Sequence, residues 1–454
     1  TRLVGSEMCI RDRIKGERVM SMTDRLTEGL LKVASKISNQ RHMTAIKNAF
    51  TALLPIIITG AFCTLFSNVV CSTTTTGISL AKIDGFAWLE ELTPLFTAAN
   101  YATLNFFTIG TVVLIAIEMA KQLGHKETVA PVVAISAYVS LCDSFTKVAV
   151  EGVTDLVEVV NVLPREFTNA QGLFLGMIVA IVSMEIYCRL ADSGKLAIKM
   201  PESVPSNVSS AFNALFPAVL TILIISAFGL LFTKVTGNSI YNMISTWIQA
   251  PLRGILTGLP GYLLIFFLST CFWVIGIHGT QVLKPVYQAT MLEAVIANTD
   301  AAANGQTPQF ILNETFISCF TTMGGAGCTI GLLFAMLLAS KRSDHRTIAK
   351  LSLAPGLFNI NETMTFGLPI VLNPIFMIPF ILTPVITATF AYFMTVIGFC
   401  GKMIYAVPWT TPPLLIAWLG SGGSIGAVIT QALCVVLSFI VYLPFVFAAN
   451  KQEN

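Results

Sequence analysis

The residue in this sequence best suited to chemistry is Glu362, in the stretch APGLFNINETMTFGLPIVLNP at 354–374. A carboxylate there can orient a hydroxyl or accept its proton, and an ionisable group at membrane depth is costly enough to mark function. Pro355, Gly356, Gly367, Pro369 and Pro374 cut the surrounding apolar run into pieces too short to span a bilayer. That pattern predicts a re-entrant hairpin whose polar tip, Asn361-Glu362, lines a cavity. In the competing account Glu362 sits in a solvated loop and caps a short helix behind Asn359 or Asn361. The apolar residues on both sides argue for a buried, functional Glu362.

A second group is His278 in CFWVIGIHGTQVLKP, with Trp273 five residues before it and Gly276 and Gly279 around it. The glycines let a backbone or ligand come close, and the ring can donate or accept a hydrogen bond. A His and a Trp anchoring a helix end in the headgroup zone account for the same letters. Trp409 in AVPWTTPPLLIAWLG offers an aromatic face beside the hydroxyls of Thr410 and Thr411, or else a membrane-interface anchor. Trp418 reads as packing. Asn100, Asn105 and Lys47 are further polar candidates, each also explained as a bundle hydrogen bond or a snorkelling charge. Glu118 is expected to pair with Lys121 or Lys126. GGAGCTIG at 324–331 reads as small-residue helix packing, since no Gly-Lys-Ser/Thr follows. The ten cysteines form no Cys-x-x-Cys pair and no metal-ligand spacing, so they read as core residues, with neither metal nor cofactor expected. Nothing supplies the nucleophile or metal set of an intramembrane hydrolase.

These groups must be positioned by helices in a bilayer. The 454 residues are 54% hydrophobic and 11% charged, with a mean hydropathy of +0.76. That charge fraction is about half that of soluble domains. The apolar runs predict an all-α, polytopic integral membrane protein with about ten transmembrane helices and re-entrant hairpins in the C-terminal half. Alternating short segments of a β-barrel are missing. The net charge of +3 lies between spans and is no nucleic-acid signal.

In chain order, 1–19 reads as a non-native leader and 20–45 as a cytoplasmic amphipathic segment, with Leu26 to Ile37 striped as a surface helix. An N-terminal transmembrane half covers 46–235, with spans near 46–70, 101–120, 129–149, 171–190 and 212–233. Lys and Arg between them place the N-terminus, 121–128 and 189–211 in the cytoplasm. Acidic residues at 71–100 and, with Glu151 and Asp155, at 151–170 suit the outer face. Pro201 to Asn213 reads as a linker between halves. The C-terminal half, 236–450, has full spans near 255–277, 316–339, 375–400 and 425–448. Lys341, Arg342, Arg346 and Lys350 make 340–350 cytoplasmic, yet counting every span puts that loop outside. One segment must therefore be re-entrant or paired with an unrecognised crossing, within 280–315 or 240–253.

FNINETMTFGLPIVLNPIFMIPFIL resembles the signature loop of the membrane-embedded IIC component of phosphotransferase-system sugar permeases, lactose/cellobiose (diacetylchitobiose) type. The usual form there is Asn-Glu-Pro-x-x-Phe-Gly-x-Pro-x-x-x-Asn-Pro. Asn361, Glu362, Phe366, Gly367, Pro369, Asn373 and Pro374 match it, and Thr363 stands where proline is usual. The resemblance extends over about 22–450. It implies a multi-pass protein of the bacterial cytoplasmic membrane with a cytoplasmic N-terminus. It also implies a homodimer, with the first half as scaffold and the second half moving the sugar. The substrate would be a β-linked disaccharide, and separate IIB and IIA proteins would be partners, IIB donating a phosphoryl group from a phosphocysteine to the sugar 6-hydroxyl. The family's histidine that touches sugar falls on His278, its stacking tryptophan on Trp409, and a basic residue reaching the site on Lys47. The substrate-binding set is then His278, Glu362, Asn361, Trp273, Trp409, Asn105 and Lys47, with Glu362 in the catalytic role. The alternative is an ion-coupled secondary transporter in which Glu362 and His278 relay protons.

Overall fold

The computed structural model describes residues 40–451 apart from 75–78, 126–128, 150–155, 199, 202–203, 369, 371–372 and 374. The expected leader at 1–19, the striped helix at 26–37, and Lys126, Glu151, Asp155, Lys199, Pro369 and Pro374 lie outside the described residues.

Helices dominate because a backbone in hydrocarbon must satisfy its own hydrogen bonds. In the first half these are α1 (Arg41–Phe66), α2 (Thr93–Leu104), α3 (Phe107–Gln122), α4 (Ala130–Val139), α5 (Leu173–Asp192) and α6 (Ser206–Thr236). Glu185, on α5, accepts from Arg41 at 2.6 Å and His42 at 2.8 Å, so the start of α1 lies at the end of α5. His125 meets Asp192 at the same end of the bundle. Glu118 pairs with Lys121 at 2.7 Å and also accepts from Asn48, while Asn100 donates to the Gly60 carbonyl at 3.1 Å. The predicted span at 129–149 needs correction: α4 is ten residues long and leads into an antiparallel strand pair, Phe145–Val148 with Val157–Val160. Its β-branched residues and the cross-strand Lys147/Glu158 pair suit an exposed hairpin rather than a helix.

The second half holds α7 (Leu259–Val274), α8 (Gly279–Ala303), α9 (Ile330–Ala339), α10 (Ser343–Leu357), α11 (Glu362–Gly367), α12 (Met377–Val396), α13 (Leu415–Gly420) and α14 (Ile425–Ala449). Among the described residues five helical segments are long and apolar enough to cross a membrane, or up to eight if each of three bent pairs is one span. The side chains show which segments instead turn back. Arg253, just before α7, bonds Glu293 of α8 at 2.9 Å; Phe266 packs on Tyr287 at 5.3 Å; and Gly279 abuts the Ser269 carbonyl. Thus α7 and α8 form an antiparallel hairpin with its tip at Gly276–His278 and both feet at one end of the bundle.

A second hairpin enters from the opposite end. His345, at the foot of α10, packs on Phe376 with ring centroids 5.9 Å apart, and Gly367 faces Ile348. Its tip is the turn Phe358–Asn361. A third spans 401–420, where the Ile404 and Tyr405 amides both donate to the Gly420 carbonyl and the tip carries Trp409. Its feet adjoin those of the first, since Asn298 and Asn313 donate to the Met403 carbonyl, each at 2.9 Å. A hairpin that leaves where it entered adds nothing to the crossing count. The mismatch at 340–350 thereby disappears: the run at 255–277 is one arm, and α8 is the unrecognised return within 280–315. Ser340 and Lys341 meet Asn450, so the 340–350 loop lies at the same end as the close of α14.

GGAGCTIG at 324–331 is not a packing stripe within a continuous helix. Gly324, Gly325, Gly327 and Cys328 all have positive φ, breaking the span between its first turns and α9. Its freed carbonyls are satisfied by neighbours: Ala326 by Asn361, Gly327 by Tyr442 and Cys328 by Ser438. Six cysteines, Cys71, Cys188, Cys319, Cys328, Cys400 and Cys434, are buried, as expected of core residues.

Candidate functional site

The three hairpin tips and the unwound stretch at 324–328 surround one cavity of 390 Å³. The first tip contributes Trp273, His278 and Thr280; the second Asn359, Asn361 and Glu362; the third Trp409. The second tip is tied both to the third and to the broken span. Asn359 is the principal tie. Its Nδ2 donates to the carbonyls of Trp409 at 2.6 Å and Thr411 at 3.1 Å, while its Oδ1 accepts from the Gly324 amide at 2.7 Å. It holds a left-handed φ of 61°, a conformation asparagine tolerates better than most residues. Asn361 donates to the Ala326 carbonyl at 2.8 Å and is buried. Together the two amides pin the second tip to the broken span.

His278 caps the N-terminus of α8, with Nδ1 accepting from the Gln281 amide at 3.3 Å and lying 2.9 Å from Thr280 Oγ1. A backbone N–H can only donate, so the neutral ring carries its proton on Nε2. Trp273 lies against this ring, centroids 4.1 Å apart at 47°. Its indole nitrogen is buried without a hydrogen-bond partner among the described residues. Gly279 is required: a Cβ there would overlap the Ser269 carbonyl and close the hairpin gap.

Glu362 opens α11 on the cavity wall and makes no hydrogen bond or ion pair to a described residue. The expectation that it is buried is corrected: its side chain is exposed, because the tip faces an open cavity rather than lipid or packed core. The capping account also fails in detail, since Asn361 makes no side-chain cap to α11. Trp409 is 48% exposed and lines both this cavity and an adjoining lobe of 110 Å³. Lys47 on α1 is outside the lining but close enough for its charge to act on His278. Asn105 is elsewhere. It accepts from Arg165 within the first half, and Arg165 in turn pairs with Asp300 of the second half at 3.1 Å, so Asn105 holds the arginine that links the halves.

Sequence reasoning missed Glu314, Lys284 and Gln281 on the cavity wall. Glu314 was visible in principle: Asn313-Glu314-Thr315 repeats the letters of Asn361-Glu362-Thr363. Lys284 and Gln281 carried no such signal, lying on the polar arm α8, within the stretch 280–315 where only an unrecognised crossing was expected.

A polytopic helical bundle whose broken inner segments converge on a polar cavity, with a free carboxylate, a histidine and two indoles, is a membrane transporter for a small polar solute. Residues 47–384 match the family "Phosphotransferase system, EIIC". The chain belongs to that family. It is similar to the lichenan permease IIC component of Bacillus subtilis (strain 168), 31% identical over 94% of this chain and 93% of the relative. It is also similar to the cellobiose-specific EIIC component of Lactococcus lactis subsp. lactis (strain IL1403), 28% identical over 94% of this chain and 97% of that protein. Among solved structures it resembles the transporter ChbC, the IIC component of the N,N'-diacetylchitobiose-specific phosphotransferase system. The TM-score is 0.86 at 32% identity, over 93% of this chain and 96% of that one. It is therefore a multi-pass membrane permease component that acts with IIB and IIA proteins on a sugar.

Proposed function

We propose that the chain takes a β-linked disaccharide of the cellobiose, lactose or diacetylchitobiose type from outside and presents its 6-hydroxyl for phosphorylation by phospho-IIB. The observation that carries this is the convergence of three hairpin tips on one 390 Å³ cavity, a volume within the ~300–1,000 Å³ range of small-ligand sites. Names of the relatives support the sugar class, and they give no support to the ion-coupled alternative.

In this reading Trp409 and Trp273 supply apolar faces for pyranose rings, while His278 Nε2–H donates to a hydroxyl and Glu362 accepts from one. Every sugar hydroxyl taken from water must regain a bond, which is the source of selectivity. At the cytoplasmic side the 6-hydroxyl oxygen attacks phosphorus on the IIB cysteine. The P–O bond forms, the S–P bond breaks, and the hydroxyl proton passes to Glu362. The charged product then leaves a site built for a neutral sugar.

We infer that 46–235 serves as scaffold and 236–450 as transport core. We infer a homodimer through the first half; α6, whose most apolar window is only 17% buried, leaves an unpartnered face there. The end holding Ser340 and Asn450 faces the cytoplasm and receives IIB. Arg342 is already paired with Asp344 at 2.7 Å, a contact that holds that carboxyl down at about 2. Arg346 donates to the Ser340 carbonyl. Lys341 and Lys350 are both exposed and remain to steer an acidic partner, an attraction that weakens with salt. A cysteine replacing exposed Lys341, in a background without the native cysteines, should react with impermeant maleimide only after the cells are opened. Labelling from outside intact cells contradicts the orientation.

The sugar assignment is tested at Trp409. Loss of an aromatic face costs on the order of one to two decades in affinity. Trp409→Ala should therefore raise the apparent Kd for disaccharide by that amount, and Trp409→Phe should keep part of the binding. Disaccharide should change the emission of the wild type, and most of that change should vanish in Trp409→Phe. Unaltered binding by Trp409→Ala makes the residue a membrane anchor and removes it from the site.

A further inference from the structure

Two copies of one local device face the cavity. Asn361 binds the Ala326 carbonyl through its amide, and Glu362 follows as the first residue of a helix. Asn313 binds the Met403 carbonyl through its amide at 2.9 Å, accepts from the Phe316 amide at 3.1 Å, and is followed by Glu314 as the first residue of a helical turn. In both, an anchored asparagine fixes a carboxylate on the cavity wall. Glu362 stands at the second hairpin tip. Glu314 stands on a different element, where the main cavity opens into the lobe beside Trp409.

Glu314 differs from its counterpart in being enclosed. Its Oε2 is shut off from solvent and has no hydrogen-bond partner among the described residues. A charged acceptor left so costs more than a neutral one, so the group calls for a donor that none of the described residues provides. Lys284 of α8, also on the wall, is the cation whose field reaches Glu314, yet no ion pair joins the two. Both line the 390 Å³ cavity, which a polar ligand can fill. Gln288, one turn further along α8, lines the same lobe with Glu314 and leaves its Oε1 buried and unpartnered.

We propose that Glu314 is a second sugar-binding carboxylate, accepting hydrogen bonds from hydroxyl or amide N–H groups of the ring that is not phosphorylated. Glu362 serves the ring that receives the phosphoryl group; Glu314 selects what is attached to it. Lys284 balances its charge and donates to the same ring. This rests on the sugar-permease reading above and names a specificity determinant within it.

The experiment is direct binding to purified protein in detergent, with cellobiose and a set of its monodeoxy analogues, for wild type, Glu314→Gln and Lys284→Met. Glu314→Gln should weaken cellobiose by roughly ten- to a hundredfold, the range of a hydrogen bond to a charged group. At least one deoxy position on the non-phosphorylated ring should cost the wild type a similar factor and cost Glu314→Gln almost nothing. A purely structural glutamate would weaken all analogues alike, and that outcome overturns the proposal, as does Glu314→Gln binding cellobiose like wild type. The deoxy series on the wild type stands even where a variant fails to fold: no loss at any position of that ring also overturns it. Should the wild type bind no β-disaccharide at all, the sugar reading itself fails, a result distinct from either.

Discussion

Replacement of Glu362 by glutamine should leave a folded, sugar-binding protein that scarcely phosphorylates. The amide keeps the shape and one acceptor oxygen, and Glu362 is exposed to water where Glu314 is enclosed, so its charge adds less to binding and cellobiose affinity should stay within about tenfold of wild type. It cannot take up the proton of the 6-hydroxyl, and general-base losses are roughly a hundredfold or more. Phosphoryl transfer from phospho-IIB to sugar, measured with the purified components, reads this directly. Because Glu362 is exposed to the cavity and bonded to no described residue, removing its charge leaves no buried partner stranded. Normal elution on size exclusion should accompany the loss. Wild-type turnover would remove Glu362 from the chemistry and leave it a wall residue.

The second large effect is expected at Asn359, which touches no solute in this account. Its amide joins the second tip to the third and to the broken span with three hydrogen bonds. Asn359→Gly retains the freedom for positive φ but loses all three. Each stranded polar group costs about 1–3 kcal/mol when buried, so a marked drop in melting temperature is expected, with sugar affinity falling at least about tenfold as the tips separate. Asn359→Asp should be worse still, since a carboxylate would face the Trp409 and Thr411 carbonyls. If Asn359→Gly melts and binds like wild type, the tips are held by packing alone.

Much of this site was legible in the letters. Glu362, Asn361, His278, Trp273 and Trp409 come together on one wall because Gly and Pro mark where apolar runs break, and broken runs must turn back or unwind. The sequence misled where composition and position disagree. Glu362 is flanked by apolar residues, yet they belong to the arms and the tip itself is wet. Asn105 is set among apolar residues, yet it sits in the turn that closes α2 and its partner is Arg165, away from the cavity. The strand pair was hidden because its first strand, Phe145–Val148, closely follows the apolar run of α4 and the two read together as one span. Most opaque was α8: Gln281, Lys284, Gln288, Glu293 and Asn298 spoil its hydropathy, and only the contacts with α7 reveal an arm within the bundle. Glu314 shows the opposite failing, for its repeated tripeptide was present and unread.

The polarity of α8 has a consequence for how the protein is made. A segment carrying Lys284, Glu293 and Asp300 would not leave the translocation machinery for lipid on its own composition. Its carboxylates and amides become tolerable only once Arg253, Arg165 and the Met403 carbonyl are beside them, and the last of these is synthesised about a hundred residues later. Biogenesis must then run in two stages: the apolar spans enter first and fix the orientation, and the polar arm is drawn into place afterwards by a bundle already assembled.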